Sequence, residues 1–75
     1  MNKDGRKELE SALDMLREAH QIIETLAEQE REKYDNMPEG LQNGERGQAV
    51  SEAADALEES SGYLDDAINR LEEIE

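Results

Sequence analysis

Cysteine, tryptophan and phenylalanine are absent from this chain of 75 residues, which contains only two tyrosines and one proline. Without cysteine there is no disulfide framework and no thiolate metal site, and the composition fits a cytoplasmic protein. Long hydrophobic runs are also lacking. No segment approaches the roughly 18 apolar residues that span a bilayer, and no apolar run follows the basic N-terminal residues as in a signal peptide. We therefore expect no membrane partner.

Basic residues are scarce too: eight lysines and arginines stand against 21 aspartates and glutamates, a formal net charge of -13. A chain this acidic repels phosphate groups, so we expect no direct binding to nucleic acid. Apolar residues make up 35 % of the chain, compared with roughly 45–50 % in an ordinary globular domain. Composition alone would favour disorder, but the chain also has a regular apolar pattern. The two together indicate a folded protein whose core a partner completes.

That pattern is helical periodicity in two stretches of about thirty residues each. When heptad positions are lettered a to g, with Leu9 and Val50 at a, apolar and small residues recur at a and d. Additional apolar residues at e and g, among them Leu13 and Ile22, make the stripe broader than a two-stranded coiled coil needs. The predicted core and oligomer residues at a and d are Leu9, Ala12, Leu16, Ala19, Ile23, Leu26, Val50, Ala53, Leu57, Leu64, Ala67 and Leu71.

A break between the stretches holds the only proline and three of the five glycines. The residue before Pro38 is biased away from helix, so the first helix ends near it, and Pro38 also suits the start of a single helical turn at 39–42. Asn2 or Asp4 is a candidate N-cap for the first helix, and Asn43 for the second. We predict one domain over 1–75, with a helix over about 5–35, a loop over about 36–46 and a helix over about 47–74.

Two helices of equal length joined by such a break predict an all-α fold, an antiparallel helical hairpin of coiled-coil type. A lone hairpin leaves one side of each broad stripe exposed to water. We therefore expect the chain to bind itself, as a homodimer that forms a four-helix bundle or as a higher helical oligomer.

The second helix is the more acidic one. Residues 45–75 carry ten acids against two bases, whereas residues 1–36 carry ten against six. A solvated face that keeps a small bundle dissolved is one explanation, and a surface that competes for a basic protein is the other. The candidate acidic face consists of Glu52, Asp55, Glu59, Asp66 and Glu73.

The sequence contains no convincing motif for a metal-binding or catalytic site. Di-metal helical bundles need inward glutamates and a Glu-x-x-His pair, but the single histidine, His20, follows Arg17 at that spacing. A calcium loop that began at Asp35 would place Met37 and Arg46 where oxygen ligands are required. No nucleophile motif or phosphate-binding glycine loop is present. We therefore predict a protein that is not an enzyme and has no metal or cofactor.

The break is longer than a helical hairpin needs, and long ordered loops often bind a partner. Its apolar tip and polar rim form the candidate partner-binding loop of Tyr34, Met37, Pro38, Glu39, Leu41, Gln42 and Arg46. A purely structural role, in which Met37 and Leu41 pack on the end of the bundle, is the alternative.

The stretch Tyr34-Asp35-Asn36-Met37-Pro38-Glu39-Gly40-Leu41-Gln42, followed by Gly44-Glu45-Arg46-Gly47, resembles the loop of small acidic helix-loop-helix proteins of phages and prophages. The resemblance covers about fourteen residues and assigns no functional residue. It implies a viral or prophage origin, a location in the host-cell cytoplasm and a non-enzymatic accessory role.

The leading hypothesis is a phage-encoded protein-interaction module that self-associates and binds or inhibits a host or viral protein. Its partner would be a basic nucleic-acid enzyme or a defence protein, bound through acidic DNA mimicry. A second hypothesis is a purely structural oligomerisation or assembly unit. A third is a helical oligomer that binds a small ligand in pockets between its subunits.

Overall fold

The computed structural model describes residues 1–75 as three helices and no strands. Helix α1 spans Lys3–Asp35, the short helix α2 spans Glu39–Gln42, and helix α3 spans Glu45–Glu72. The two long helices lie side by side in a rod of 58 × 15 × 14 Å. They run antiparallel, because Arg17 of α1 contacts Glu72 of α3 whereas Arg31 contacts Asp55. The prediction of an all-α helical hairpin is confirmed.

Helix α1 begins two residues earlier than predicted because Asn2 caps it. The Asn2 side chain accepts a hydrogen bond from the Gly5 backbone N–H at 2.7 Å, which satisfies one of the free N–H groups of the first turn. At the other end Asn36 N–H donates to the Glu32 carbonyl at 3.0 Å. The helix ends there, at the boundary that the following proline predicts.

The break forms a compact corner rather than an open loop. The Pro38 carbonyl accepts hydrogen bonds from Leu41 N–H and Gln42 N–H, so the predicted single turn is present as α2. Asn43 adopts helical φ and ψ at the end of α2, and the N-cap of α3 is therefore Gly44, whose backbone is extended. The expected capping role of Asn43 is wrong for this reason.

The core of the hairpin is formed by positions a and e. The buried apolar side chains all lie at e: Leu13, Ala27, Ala54 and Ile68. The a positions beside them are half-buried: Leu9, Leu16, Ile23, Val50, Leu57, Leu64 and Leu71. Because positions a and e are only about 40° apart around a helix, a helix with a single neighbour turns both of them inward and position d outward.

Four residues predicted as core at position d are exposed in this hairpin: Ala12, Ala19, Leu26 and Ala53. Ala67, the fifth predicted residue at d, is half-buried. A single hairpin buries only the a and e side of the stripe. The d side therefore lies on the surface of the molecule.

Candidate interaction surfaces

The hairpin has two broad faces of opposite character. A local two-fold axis perpendicular to the helices relates α1 to α3, so the same heptad positions of both helices lie on the same side. Positions b and f form one side, which we call the charged face. Positions d and g form the other, which we call the apolar face.

On the charged face, arginines of α1 bind carboxylates of α3. Arg17 Nη2 lies 2.6 Å from Glu72 Oε2, and Arg31 Nη2 lies 2.6 Å from Asp55 Oδ1 and 2.7 Å from Glu58 Oε1. The hydrogen bonds that Arg31 donates to Glu58 and then Asp55 raise its pKa, and the hydrogen bond that Arg17 donates to Glu72 raises the pKa of Arg17. Both guanidinium groups stay charged at every accessible pH, so these contacts set how the helices align.

A histidine and a serine meet at the centre of the seam, a contact that no sequence motif predicts. Ser61 Oγ lies 3.1 Å from His20 Nε2, and Glu24 Oε1 lies 3.3 Å from the same nitrogen. A nucleophilic relay needs the serine on one ring nitrogen and the carboxylate on the other. Because both partners use Nε2, this cluster forms a polar layer of the seam and lacks relay geometry.

On the apolar face, α1 presents a second heptad seam. Met15 is 67 % exposed, Ile22 54 % and Leu26 40 %, and with Ala12 and Ala19 they form a series spaced alternately by three and four residues. Helix α3 contributes Tyr63, which is 66 % exposed. Smaller exposed residues of α3 on the same face are Ala49, Ala53, Ala56 and Ser60. No hydrogen bond or ion pair joins the two helices across this face.

An acidic edge borders the apolar face along α3. Four of the five predicted acidic residues recur every seven residues at position c and are exposed: Glu52, Glu59, Asp66 and Glu73. Glu59 accepts a hydrogen bond from the Tyr63 hydroxyl at 3.0 Å, and this bond raises the pKa of Tyr63. The fifth, Asp55, lies instead on the charged face with Arg31. The candidate acidic face is therefore divided between two sides of the helix.

The candidate partner-binding loop is also divided. Gln42 Nε2 donates to the Tyr34 carbonyl at 2.8 Å, which fixes α2 against the end of α1. Tyr34 and Met37 are half-buried, whereas Leu41 is 53 % exposed beside the exposed Pro38 and Glu39. Arg46 is exposed in the first turn of α3. Leu41 is thus the main apolar group at the tip.

Surface hollows of the hairpin are lined by both polar and apolar residues, and the lining richest in apolar residues, with Leu9, Leu13, Leu71 and Ile74, is at the open end. The one beside Arg31 has a volume of about 450 Å³, and Ala27 is the only apolar residue among the eight that line it. Sites for small molecules are lined mainly by apolar side chains, a lining that this hollow lacks. The predicted ligand pocket lies between subunits and stays a prediction. No group of three or more histidine, cysteine or acidic side chains is arranged to hold a metal ion.

No helix is long and apolar enough to cross a membrane. Comparison of the chain with protein-family models, with curated proteins and with solved structures found no match.

Proposed function

We propose that this protein is a non-enzymatic protein-interaction module that self-associates through its apolar face. The observation that carries the proposal is the exposure of a complete heptad seam, centred on Ile22, on the side of the hairpin opposite the ion pairs. Monomeric proteins rarely expose contiguous apolar patches of more than a few hundred Å². A patch with heptad spacing favours a partner that is itself helical.

The division of heptad positions supports a four-helix bundle. Each helix of such a bundle has two neighbours, and residues that point between them face the bundle axis. In this hairpin position e packs against the helix of the same chain, and position g lies on the apolar face. Positions a and d lie between e and g around the helix, so a second hairpin on the apolar face would bury them together. The broad apolar stripe predicted from the sequence is then buried on both of its sides, one by the same chain and the other by the second hairpin.

Light scattering across a concentration series tests self-association. We expect a mass of twice 8.5 kDa for the natural chain at micromolar concentration, and a monomer for Ile22→Glu, because a charge at the centre of the apolar face cannot be desolvated there. The matched control is Gln21→Glu, which adds the same charge one residue away on the charged side and should stay dimeric. A monomeric natural chain would refute the proposal.

A second candidate function is binding to a basic protein through the acidic edge. In its favour, Glu52, Glu59, Asp66 and Glu73 follow one line on α3, spaced about 10.5 Å apart, and no cation of this chain pairs with them. Such a row suits the phosphate-binding groove of a nucleic-acid enzyme or defence protein. With the acidic edge and the phage-type loop, the chain would act as an inhibitor of such a basic protein. The alternative is a purely structural assembly unit, which binds only other copies of itself.

Binding that is based on DNA mimicry should be displaced by duplex DNA and should weaken steeply with salt. Changing the four edge carboxylates to their amides should abolish it, while Ala replacements of Met37, Leu41 and Arg46 should abolish binding only if the loop makes the contact. If a candidate basic enzyme keeps its full activity with a tenfold excess of the natural chain, inhibition of that enzyme is excluded. A pure assembly unit would tolerate both sets of changes and still dimerise.

A further inference from the structure

We infer that the second copy docks on the apolar face with both loops at the same end, so that α1 of each chain packs on α3 of the other. This inference rests on the self-association proposed above. The apolar face offers two parallel stripes, one on each long helix. The whole side of the rod, 58 Å by 15 Å, sets the upper limit of an interface with a second hairpin, and this limit is close to the roughly 800 Å² per partner that a stable interface buries. A single partner helix would fill one groove, whereas a second hairpin of the same length covers both stripes.

Only two arrangements pair such faces symmetrically. If the two-fold axis runs along the rod, the loops share an end and α1 lies on the partner's α3. If the axis runs across the rod, the loops point in opposite directions and each helix lies on its own copy. The first arrangement keeps every residue at its own level along the rod, so the alignment of the helices within one hairpin also fixes the alignment of the dimer.

The ion pairs of the charged face and the His20–Ser61 contact together supply those levels. The long arginine side chains reach Asp55, Glu58 and Glu72, whereas the short Ser61 side chain meets His20 directly. This alignment places Ala19 of α1 between Ser60 and Ala67 of α3. By the same alignment, Leu26 lies between Ala53 and Ser60. With α1 on the partner's α3, Leu26 therefore meets small side chains, and Ala19 allows close approach of the helices. Ile22 meets Tyr63, and these are two of the most exposed apolar groups of the face.

Charges at the outer edge of the interface decide between the two arrangements. Position c flanks this interface as charged positions flank a coiled-coil seam, where such pairs set orientation. If α3 packed on α3, the acidic edges of the two copies, with their exposed carboxylates at position c, would run alongside each other. These like-charge contacts disfavour loops at opposite ends.

In the arrangement with both loops at one end, several of these like-charge contacts are replaced by contacts between an acidic and an uncharged residue. The c positions of α1 include the uncharged Ser11 and Thr25, which then lie within one turn of Glu73 and Glu59 of the second copy. Arg70 of the second copy comes within one turn of Glu18. Since each acidic α3 is paired with the less acidic α1, the two acidic edges are kept apart in this arrangement.

The distance between the two loops tests the inference, and the absence of native cysteine makes single labels specific. Gly40→Cys suits a spin label because nothing lies within 4 Å of an added Cβ there. With helices of adjacent layers about 10 Å apart, we expect pulsed electron-spin distances of roughly 15–30 Å between the two labels. Loops at opposite ends would give a distance approaching the 58 Å length of the rod and would overturn the inference.

A disulfide experiment gives a second readout with exposed residues at position g. A mixture of Gln29→Cys and Ala56→Cys chains, oxidised with glutathione disulfide, should form the mixed cross-linked dimer, because these positions face each other when the loops share an end. Neither variant alone should cross-link. If light scattering shows a dimer but no mixed disulfide forms and the labels are far apart, the orientation is wrong and self-association stands. If the natural chain is a monomer, self-association itself fails.

Discussion

Arg31 of α1 bridges to Asp55 of α3, with Nη2 2.6 Å from Oδ1, and the same nitrogen lies 2.7 Å from Glu58. The contact joins residues that are 24 positions apart in the chain. Unlike the apolar seam, which permits several alignments one heptad apart, a guanidinium held between two carboxylates is satisfied in one alignment only. Specifying the alignment of the hairpin is therefore the main role we assign to this cluster.

A double-mutant cycle of Arg31→Ala and Asp55→Ala should show a small favourable coupling. Both side chains are partly exposed, at 31 % and 67 %, so solvent and salt screen the pair. We expect the denaturation midpoint of each single variant to fall slightly, and the coupling to shrink in 1 M salt. Coupling that is unchanged by salt would contradict this account.

The corner of the hairpin should depend on Gly47. A Cβ there would overlap the carbonyl oxygens of Leu41 and Gln42, so Gly47→Ala has to push α2 off the first turn of α3. We expect a loss of about 1–3 kcal/mol in the free energy of unfolding, typical of overpacking. Urea denaturation followed by circular dichroism measures it.

Gly62 is the matched control because it lies mid-helix with nothing within 4 Å of an added Cβ. Gly62→Ala should raise the free energy of unfolding by up to about 1 kcal/mol, since alanine restricts the unfolded chain and favours helix. Equal effects of the two substitutions would show that the close approach at Gly47 is unimportant.

Most of the fold follows from local sequence signals. The apolar period, Pro38 and the glycines predict two helices and a corner, because each of these signals acts within a few residues. The start of α1 was placed too late because the capping of Gly5 N–H by Asn2 outweighs the glycine's tendency to fray the first turn. The N-cap of α3 was misassigned because α2 draws Asn43 into its own last turn.

Cross-helix contacts were much harder to predict. The a and d pattern is the same whether a helix has one neighbour or two, so the sequence could not show that Leu26 and Ala19 lie outside the seam of one hairpin. The meeting of His20 with Ser61 depends on the alignment of the helices. An available signal was that both residues occupy position e, which is the position that this hairpin buries.

The polar layer of His20 and Ser61 should cost stability relative to an apolar one. His20 has a side-chain exposure of only 19 %, within a seam that is otherwise largely hydrocarbon. Replacing both hydrogen-bonding partners with apolar groups removes their desolvation penalty and leaves no polar atom unpaired. We expect His20→Leu combined with Ser61→Ala to raise the free energy of unfolding by about 1 kcal/mol.

Thermal melts of the double variant at pH 7, compared with Ser61→Ala alone, measure this effect. The single variant removes the hydroxyl but keeps the histidine, so it isolates the contribution of the new leucine. A double variant less stable than the natural chain would mean that the polar layer stabilises the hairpin and is more than a tolerated interruption of the seam.

Tyr63 should titrate above the ordinary tyrosine pKa of about 10, because its hydroxyl donates a hydrogen bond to Glu59 and the same carboxylate disfavours a phenolate. A pKa that is raised by folding means that the unfolded chain loses this proton first. The stabilising contribution is therefore complete below pH 10 and is lost as the pH rises through the folded-state pKa.

Ultraviolet absorbance of the phenolate measures the titration, in a Tyr34→Phe background so that only Tyr63 contributes to the signal. The same chain also carries Ile22→Glu, which keeps it monomeric, so that no second copy covers Tyr63 during the titration. Adding Glu59→Gln should move the midpoint down towards 10, and an unchanged midpoint would show that the hydrogen bond to Glu59 has no influence in solution.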